Sequence, residues 1–378
     1  MVSESLSYIE INANNLIHNI EQIRKRLPVG NRLIAVVKAN AYGHGLKEVV
    51  ASADAVVDAF QIDDIEELRE ARKYTDKQIF VFGYVMKSQL AEIVDLRGTL
   101  GVYTLEHIQI LNQIGKEKGE IILVHLKIDA LLGRQGILVH ELDEFIEEIK
   151  KLSFIKVEAI YSHFSNIEDT DSLKHAHTQH NLLLQAKDKI VVGLGVSDLY
   201  HHVSATGGFL VDQENNWGGT CVRLGIGLYG LWPSKSLQVK YGGMIELRPI
   251  LRWITHVAQI KNLPEGYPIG YGLSHITARP TRVAIIPQGY SDGYDRRFSN
   301  NGEVLIRGKR CSILGRVAMN MFVVDGTDIP DIAIEDEVVL IGSQEQESIS
   351  AEYIADKINT VNYEIVARLL PLLKRVIV

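Results

Sequence analysis

Strand-like and helix-like patterns alternate through about the first 225 residues, and this alternation constrains the fold more than any other feature of the chain. Runs of β-branched and apolar residues predict eight strands, at residues 32–37, 55–60, 78–82, 100–102, 121–128, 157–161, 200–203 and 222–224. Helical stripes lie between most of these runs, as at Leu142, Phe145 and Ile149. This order predicts an α/β fold, a (β/α)8 barrel of the TIM type; a doubly wound open sheet is the alternative.

The pattern changes from about Tyr241 onward. Short β-type runs separated by turn signals predict strands at residues 251–260, 282–286, 303–306, 311–314, 321–324 and 337–341. We therefore divide the chain into a barrel over residues 1–240 and a mostly β C-terminal domain over residues 241–378.

Composition excludes several classes of function. The formal net charge of −7, with basic residues scattered, argues against a nucleic-acid partner. No stretch approaches the roughly 20 apolar residues of a membrane span, so no membrane partner is expected. Two distant cysteines form no disulfide framework, and the first residues, MVSESLSYIE, lack the apolar core of a signal peptide. We expect a cytoplasmic protein.

Lys38 is the most unusual residue of the barrel region, because it ends a buried strand within the segment AVVKANAYGHG, residues 35–45. A lysine at a strand end ordinarily extends its amine to solvent. Here glycines follow, which allow close backbone approach to a ligand, and a helix begins near Leu46, whose N-terminus favours an anion. A Schiff-base lysine beside a phosphate site is the set of groups that pyridoxal phosphate requires.

Other reactive side chains also follow predicted barrel strands, where the carboxyl ends of the strands form the active-site face. They are Lys127, Asp129, His163, Ser204 and Arg223. Residues 225–230 match GxGxxG, but no helix opens there, so we interpret them as a phosphate loop rather than a dinucleotide site. Adjacent His201 and His202 point to opposite faces of a strand, and no metal-ligand spacing is present, so no metal site is predicted.

Several segments together resemble one known family, the alanine racemases. They are AVVKANAYGHG at 35–45, HLKID at 125–129, GRQG at 133–136, VRLGIGLYG at 222–230, GYG at 270–272, PQGYSDG at 287–293 and GRVAM at 315–319. The resemblance covers essentially the whole chain. It implies interconversion of L- and D-alanine through a pyridoxal 5'-phosphate aldimine, supplying D-alanine for cell-wall peptidoglycan. It also implies a homodimer with active sites at the subunit interface.

The resemblance assigns roles at the cofactor and at the reacting carbon. Lys38 resembles the Schiff-base lysine and the base on one face of Cα, and Tyr271, expected from the partner subunit, resembles the base on the other face. Arg223 resembles the arginine that faces the pyridine nitrogen. His163 is expected to hydrogen-bond into the network that helps Tyr271 act as a base, and to link that network towards Arg223. The residues that resemble phosphate binders are Tyr42, Ser204, Gly225, Ile226 and Tyr363.

The resemblance also assigns residues to the substrate. Arg134 and the backbone N–H of Met319 resemble the groups that bind the substrate carboxylate, and Tyr290 and Arg296 resemble residues that line the path to the site. Lys127 resembles a lysine that some members of the family carry as a carbamate. An unmodified Lys127 paired with Asp129 or another carboxylate is the alternative.

Two departures from the family pattern lie beside the substrate-binding groups. Residues 130–132 are Ala-Leu-Leu where the family commonly has Thr/Ser-Gly-Met, and Asn320 replaces the usual aspartate. They favour a broader amino-acid racemase, acting on serine or lysine, as the first alternative function. A non-enzymatic carrier of the cofactor would need no second domain, and a decarboxylase would favour an acidic residue where this chain has Arg223.

Overall fold

The structure, a computed structural model, describes residues 5–197, 199–215, 217 and 219–378. The chain divides into two compact units. The barrel unit comprises residues 16–39 and 49–248, and the β unit comprises residues up to 15, residues 40–48 and residues 249–378.

The strands, in chain order, are β1 (Tyr8–Ile11), β2 (Arg32–Val36), β3 (Ala59–Ile62), β4 (Gln78–Val81), β5 (Gly98–Val102), β6 (Ile122–Lys127), β7 (Ile155–Tyr161), β8 (Tyr200–His202), β9 (Cys221–Leu224), β10 (Leu251–His256), β11 (Gln259–Leu263), β12 (Pro268–Ile269), β13 (His275–Ile276), β14 (Thr281–Ile286), β15 (Glu303–Ile306), β16 (Lys309–Ser312), β17 (Phe322–Asp325), β18 (Glu337–Gln344), β19 (Glu347–Ile349) and β20 (Lys374–Ile377). The helices are α1 (Ala13–Arg24), α2 (Lys38–Tyr42), α3 (Leu46–Ala53), α4 (Ile65–Ala71), α5 (Leu90–Asp95), α6 (Leu105–Lys118), α7 (Leu142–Ile149), α8 (Lys174–Leu194), α9 (Thr206–Asn215), α10 (Lys235–Tyr241), α11 (Ala351–Lys357) and α12 (Asn362–Ala367). None of the helices in the described part of the chain combines the length and the apolar character that a membrane span requires.

The barrel unit confirms the predicted architecture. Its eight strands, β2 to β9, form one parallel sheet in the order β8-β7-β6-β5-β4-β3-β2-β9. Backbone hydrogen bonds from Thr220 N to His201 O and from Arg223 N to Ser204 O, both 3.1 Å, join the two ends of this order. Apolar and aromatic side chains fill the interior, including a buried cluster of Ile34, Ala59, Phe80, Phe82, Tyr161 and Cys221. The carboxyl ends of the strands therefore lie on one face, as a barrel requires.

One strand boundary in the barrel differs clearly from prediction, and one strand contains an irregularity. β3 begins at Ala59, four residues later than the pattern indicated, because residues 55–57 belong to the turn after α3. Between β6 and β7, Val124 pairs with Val157 but His125 pairs with Ala159. Glu158 is therefore the extra residue of a β-bulge, which reverses the face to which the following side chains point.

The β unit is mostly β, and it includes residues that the sequence analysis assigned to the barrel. β1 pairs antiparallel with β10 and parallel with β20, so the first strand of the chain completes a sheet of C-terminal strands. The sheet order is β16-β15-β18-β10-β1-β20, with β19 on β18. A prediction from local pattern assigns Tyr8–Ile11 to the sequence that follows it, and could not detect a partner about 240 residues away.

The predicted strand at 251–260 is two strands, because the chain breaks pairing at Val257 and Ala258. β10 continues the large sheet, while β11 pairs with β14 in a separate three-stranded sheet with β17. A single run of apolar residues thus serves two sheets. The division of the chain near residue 240 remains a prediction of the sequence.

Candidate active site

Arg223 is the most highly connected of the predicted site residues in the barrel unit. It lies near the carboxyl end of β9, paired in register with Ile34 of β2, and only 4% of it is exposed. Its Nη2 donates to Ser162 O at 2.8 Å and Val203 O at 3.1 Å, and its Nη1 donates to His202 Nδ1. Because a guanidinium only donates, these acceptors hold a permanent positive charge in one orientation at the barrel mouth.

His163 lies beside Arg223, with its Nδ1 at 3.3 Å from Arg223 Nη2. Burial, followed by the charges of Arg223 and Arg134, lowers the pKa of His163 to about 3. His163 is therefore neutral at physiological pH, and its Nδ1 accepts from Arg223. The structure thus brings His163 into contact with Arg223, while its link to Tyr271 stays a prediction.

Lys38 follows the end of β2, and its half-exposed amine lies 3.7 Å from Asp63 Oδ2. β2 pairs with β9 in the barrel sheet, with Ile34 opposite Arg223, and Lys38 follows four residues after Ile34, beyond the carboxyl end of β2. Asp63 follows β3 and is a neighbour that sequence reasoning missed. Its carboxylate is the nearest counter-charge to Lys38 among the described residues.

Lys127 ends β6 and is buried, with its Nζ donating to Gln135 Oε1 at 3.2 Å. Burial and the charge of Arg134 lower the pKa of Lys127 to about 8. Asp129 instead bonds to its own loop, because Asp129 Oδ1 accepts from Leu132 N at 2.8 Å and Gly133 N at 3.1 Å. Asp129 thus holds the 130–133 loop, and no carboxylate lies within ion-pair distance of Lys127 among the described residues.

The predicted phosphate binders of the barrel unit, Ser204, Gly225 and Ile226, belong to two segments that a hydrogen bond joins. Buried Ser204 lies two residues after the end of β8, and α9 begins two residues later at Thr206. Thr206 Oγ1 accepts from Gly227 N at 3.2 Å, which ties the start of α9 to the loop that contains Gly225 and Ile226. A Cβ on Gly227 would lie 2.7 Å from the Thr206 methyl group, so only glycine fits there. Backbone N–H groups at a helix start and in a glycine loop suit a phosphate.

Arg134 lies in the loop after β6 and is exposed. Together with His163 it lines a cavity of about 260 Å³, which also includes Asn166, Glu168 and Asp169. The cavity thus places Arg134 and the neutral histidine that contacts Arg223 in one lining, together with two carboxylates. Binding of the substrate carboxylate by Arg134 stays a prediction.

The remaining predicted residues belong to the β unit. Tyr271 and Met319 are 73% and 55% exposed, and Tyr290 and Arg296 are exposed as well. The side chain next to Met319, Asn320, donates to Ser291 Oγ at 2.7 Å, and Ser291 Oγ donates to Met319 O at 2.8 Å.

Tyr42 and Tyr363 are brought together within the β unit, with ring centroids 6.1 Å apart. Tyr42 ends a turn of four consecutive residues with left-handed backbone, from Ala39 (φ 53°) to Tyr42 (φ 52°). Such a run is unfavourable for residues other than glycine, so surrounding contacts must hold it. His44 Nδ1 donates to Ala41 O and Tyr42 O at 3.0 Å, and Arg375 Nη2 donates to Gly43 O at 2.8 Å.

The glycines and the helix start of this segment serve the protein rather than a ligand, which corrects the sequence interpretation. A Cβ on Gly43 would lie 1.8 Å from Val366 O. The N–H of Leu46, the first residue of α3, donates to Asn40 Oδ1 at 2.8 Å. The close approach made possible by Gly43 is thus an approach of backbone to backbone.

Replacing Gly43 with alanine should destabilise the protein far more than the same change at Gly30. Both glycines have left-handed backbone, φ 81° and 89°, but nothing lies within 4 Å of a Cβ on Gly30. Gly30→Ala should cost about 1 kcal/mol of backbone strain. Gly43→Ala adds a clash with Val366 and should cost about 3 kcal/mol or more. Thermal unfolding of both variants measures the difference; equal shifts would contradict the steric account.

The comparisons with known proteins agree with this arrangement. The family description "Alanine racemase, N-terminal domain" matches residues 11–233, and "Alanine racemase, C-terminal domain" matches residues 250–377. "Alanine racemase 2" of Caldanaerobacter subterraneus subsp. tengcongensis is 35% identical over 362 residues, which cover 94% of this chain and 91% of that protein.

Solved structures extend the comparison to the fold. An alanine racemase from Clostridium difficile superposes with a TM-score of 0.91 at 31% identity, covering 100% of this chain and 96% of its own. A histidine racemase from Leuconostoc mesenteroides subsp. sake has a TM-score of 0.85 at 25% identity, covering 100% of this chain and 99% of its own. Matches to both domain descriptions over nearly the full length show that this chain belongs to the alanine racemase family.

Proposed function

We propose that the chain interconverts L- and D-alanine with two bases, Lys38 on one face of Cα and Tyr271 of a partner subunit on the other. The activity is that of an isomerase that uses pyridoxal phosphate, as membership of the family implies. The observation that carries the proposal is the pairing of β2 with β9, because Lys38 follows the carboxyl end of β2 and Arg223 lies near the carboxyl end of β9. A reactive amine and a fixed cation there match the two ends of the cofactor's ring system.

The residues present fit pyridoxal phosphate. The barrel unit offers an amine at Lys38, a fixed donor at Arg223 and a glycine loop tied to a helix start at Gly227. Lys38, Ser204, Gly225, Ile226 and Arg223 would hold the cofactor there, with Tyr42 and Tyr363 as further phosphate binders. When bound, the cofactor stabilises the electron pair left at Cα after a proton is removed.

The chain's own groups then determine which reaction follows. Arg223 is permanently charged and donates only, so it offers no proton acceptor to the pyridine nitrogen and limits how strongly the ring withdraws electrons. Neutral His163 accepts from Arg223 and adds no charge. Arg134 and the N–H of Met319 would hold the substrate carboxylate, which leaves the Cα proton as the bond to be broken. Tyr290 and Arg296 would line the path to the site.

We also propose a homodimer in which Tyr271 and Met319 reach the partner's barrel. The support is a group of large apolar side chains that the β unit leaves exposed, namely Tyr271, Leu273, Ile276, Met319 and Met321. A twofold dimer would present this surface twice. We further propose a cytoplasmic location, since Cys221 and Cys311 are free and buried, and a role in supplying D-alanine for peptidoglycan.

Incubation of L-alanine with the enzyme in heavy water tests the proposed reaction. Chiral chromatography should show D-alanine, and mass spectrometry should show deuterium at Cα of the product, because the proton delivered comes from solvent-exchanged bases. Release of carbon dioxide without racemisation would contradict the proposal and favour the decarboxylase. Binding of the cofactor without any change in alanine would favour the non-enzymatic carrier.

A broader substrate range is the second candidate function. Asn320 carries no charge where the family commonly has an aspartate, and its amide is engaged by Ser291 next to Met319. A structural relative at 25% identity is a histidine racemase. We expect kcat/KM for serine and lysine to lie within about 10³-fold of that for alanine, about 4 kcal/mol. Measuring kcat/KM for the three amino acids side by side tests this, and a larger preference for alanine would contradict it. In that case Asn320→Asp should leave the preference for alanine unchanged.

We propose that Lys127 is a carbamate in the active protein. Its pKa near 8 leaves part of the amine neutral at physiological pH, and a neutral amine attacks carbon dioxide, forming an N–C bond and losing one proton. The resulting anion would replace the amine's contact with Gln135 and could pair bidentately with Arg134.

Carbon-13 NMR of protein equilibrated with labelled bicarbonate should show a carbamate signal. The signal should persist in Lys38→Ala and disappear in Lys127→Ala, which identifies the amine. A wild-type spectrum that lacks the signal would show a bare Lys127. Arg134 is exposed and lies in a loop, so loss of the carbamate should raise the KM for alanine more than it lowers kcat.

A further inference from the structure

A chain of hydrogen-bonded side chains leads from buried Arg223 through two buried histidines to Glu158, whose side chain is partly exposed. Arg223 Nη1 donates to His202 Nδ1, His202 Nε2 lies 3.2 Å from His125 Nδ1, and His125 Nε2 lies 3.0 Å from Glu158 Oε2. The two histidines are 2% exposed or less. Three hydrogen bonds therefore connect a cation at the carboxyl face of the barrel with a carboxylate deeper in the barrel.

The groups at the two ends of this chain determine which ring nitrogen of His202 and of His125 carries the proton. Arginine only donates and an ionised carboxylate only accepts. His202 must therefore present a bare Nδ1 to Arg223, which leaves its proton on Nε2. That proton is donated to His125 Nδ1, and the remaining proton of His125, on Nε2, is donated to Glu158. Each imidazole has one tautomer that satisfies both of its neighbours.

The charges of the chain agree with this assignment. Burial lowers the pKa of His125 and places the pKa of His202 well below its ordinary value, so both rings stay neutral. The hydrogen bond from His125 lowers the pKa of Glu158, which stays ionised. A second support for Glu158 comes from Gln78 Nε2, which donates to the same oxygen at 2.9 Å, while Gln78 Oε1 accepts from Arg32 at 2.8 Å.

Strand alternation explains why Glu158 can end the chain. Val157 pairs with Val124, so the next residue, Glu158, points to the opposite face, which is the face of His125. The bulge then places Ala159 rather than Glu158 opposite His125, and the Glu158 carboxylate contacts the His125 ring. Stacking of the His202 ring on Tyr161, 7° from parallel with centroids 5.3 Å apart, further restricts the His202 ring plane.

We propose that Glu158, His125 and His202 are positioning residues that fix the acceptor tautomer of His202 and thereby hold the Arg223 guanidinium in its orientation at the barrel mouth. The positioning requires no contact between these three residues and the substrate or cofactor. The part of the proposal that concerns catalysis rests on the proposed role of Arg223. The tautomers themselves are a property of the folded barrel.

Nitrogen-15 NMR of histidine-labelled protein tests the chain directly, with and without cofactor. In the wild type, His202 and His125 should each show a protonated Nε2 and a bare Nδ1. Glu158→Leu removes the acceptor and should produce mixed tautomers at both rings. Glu158→Gln keeps an oxygen that accepts from His125 and should restore the wild-type tautomers. A matched control, Thr99→Val, changes a buried neighbour of Gln78 outside the chain and should alter neither ring.

Kinetics of the cofactor-loaded enzyme then test the consequence for Arg223. Glu158→Leu should lower kcat for alanine by about 10- to 100-fold, the range for lost outer partners of functional groups. KM should change less than kcat, and the visible absorption band of the bound cofactor should shift, because Arg223 faces its ring. Glu158→Gln should recover most of the kcat.

Three results would overturn the proposal. They are wild-type tautomers in Glu158→Leu, mixed tautomers in Glu158→Gln, and mixed tautomers in Glu158→Leu with an unchanged kcat. If Glu158→Leu does not fold, His202→Asn and His202→Leu decide: the asparagine oxygen replaces Nδ1 as the acceptor, so it should lose several-fold less kcat than leucine. A wild-type protein that does not racemise alanine would refute the proposed function. The tautomer spectra would still decide whether the hydrogen bonds from Arg223 to Glu158 fix the histidine protons.

Discussion

Replacing Lys38 with alanine is expected to abolish racemisation from both enantiomers. The substitution removes the amine that would anchor the cofactor and the base on one face of Cα at the same time. Loss of a general base alone costs about 10² to 10⁴-fold, so the combined loss should exceed about 10⁴-fold. Chiral chromatography started separately from L- and D-alanine measures the rate in each direction.

Two controls separate this effect from misfolding. Lys38 is half-exposed and pairs only loosely with Asp63, so its truncation should leave the thermal unfolding midpoint nearly unchanged. Lys47→Ala removes an exposed lysine from the neighbouring helix α3 and should retain full activity. Residual racemisation in Lys38→Ala within about ten-fold of the wild type would remove Lys38 from its proposed role.

Tyr271→Phe is expected to lower racemisation by about 10² to 10⁴-fold, while proton exchange by Lys38 on its own face of Cα continues. The equilibrium constant between enantiomers is one, so kcat/KM must fall equally in both directions. The asymmetry appears in proton exchange instead. Lys38 should still exchange the Cα proton of D-alanine with heavy water without inversion, whereas L-alanine, which depends on Tyr271, should keep its proton.

Tyr267→Phe is the matched control for Tyr271→Phe. Tyr267 is an exposed tyrosine four residues earlier in the same β unit, 47% exposed, and its hydroxyl has no proposed role. It should racemise alanine at the wild-type rate. Equal loss of Cα exchange from both enantiomers in Tyr271→Phe would contradict the two-base assignment.

Co-expression of Lys38→Ala with Tyr271→Phe tests whether a site is shared between subunits. In a mixed dimer, one site receives both defects and the other receives Lys38 from one subunit and Tyr271 from its partner. Random pairing should therefore restore about a quarter of the wild-type sites. Absence of any recovery in the mixed preparation would show that each subunit supplies its own Tyr271.

The barrel and most of its reactive face could be predicted from the sequence because their signals are local. Each strand of the barrel is a short apolar run between helical stripes, and Lys38, Lys127 and Arg223 lie at or next to the ends of such runs. Strand ends in a barrel meet at one face, so the reactive residues could be grouped without knowing any contact. The link of His163 towards Arg223 came from the family resemblance alone, because strand ends do not reveal which side chains bond to each other.

The features that escaped prediction depend on non-local geometry. Nothing in the composition around Glu158 reveals a bulge, because the bulge arises from the pairing of β7 with β6. The left-handed turn from Ala39 to Tyr42 uses residues that ordinarily favour right-handed backbone, and only the carbonyl contacts of His44 and Arg375 explain it. The sequence grouped Asp129 with the reactive side chains at the strand ends, and only the contacts show that Asp129 Oδ1 bonds to the backbone of its own loop.

Because β1 lies between β10 and β20, the strands that pair with β1 are synthesised long after β1 itself. Residues 8–11 leave the ribosome early, but their antiparallel partner, Leu251–His256, follows about 240 residues later. At about 5 to 20 residues per second, the segment YIEI waits roughly 10 to 50 seconds without its partner strand. Ile9 and Ile11, both fully buried in the finished sheet, are exposed throughout that time. We therefore expect this N-terminal segment to be the part of the nascent chain that most needs a chaperone, even while the barrel beside it in sequence is already folding.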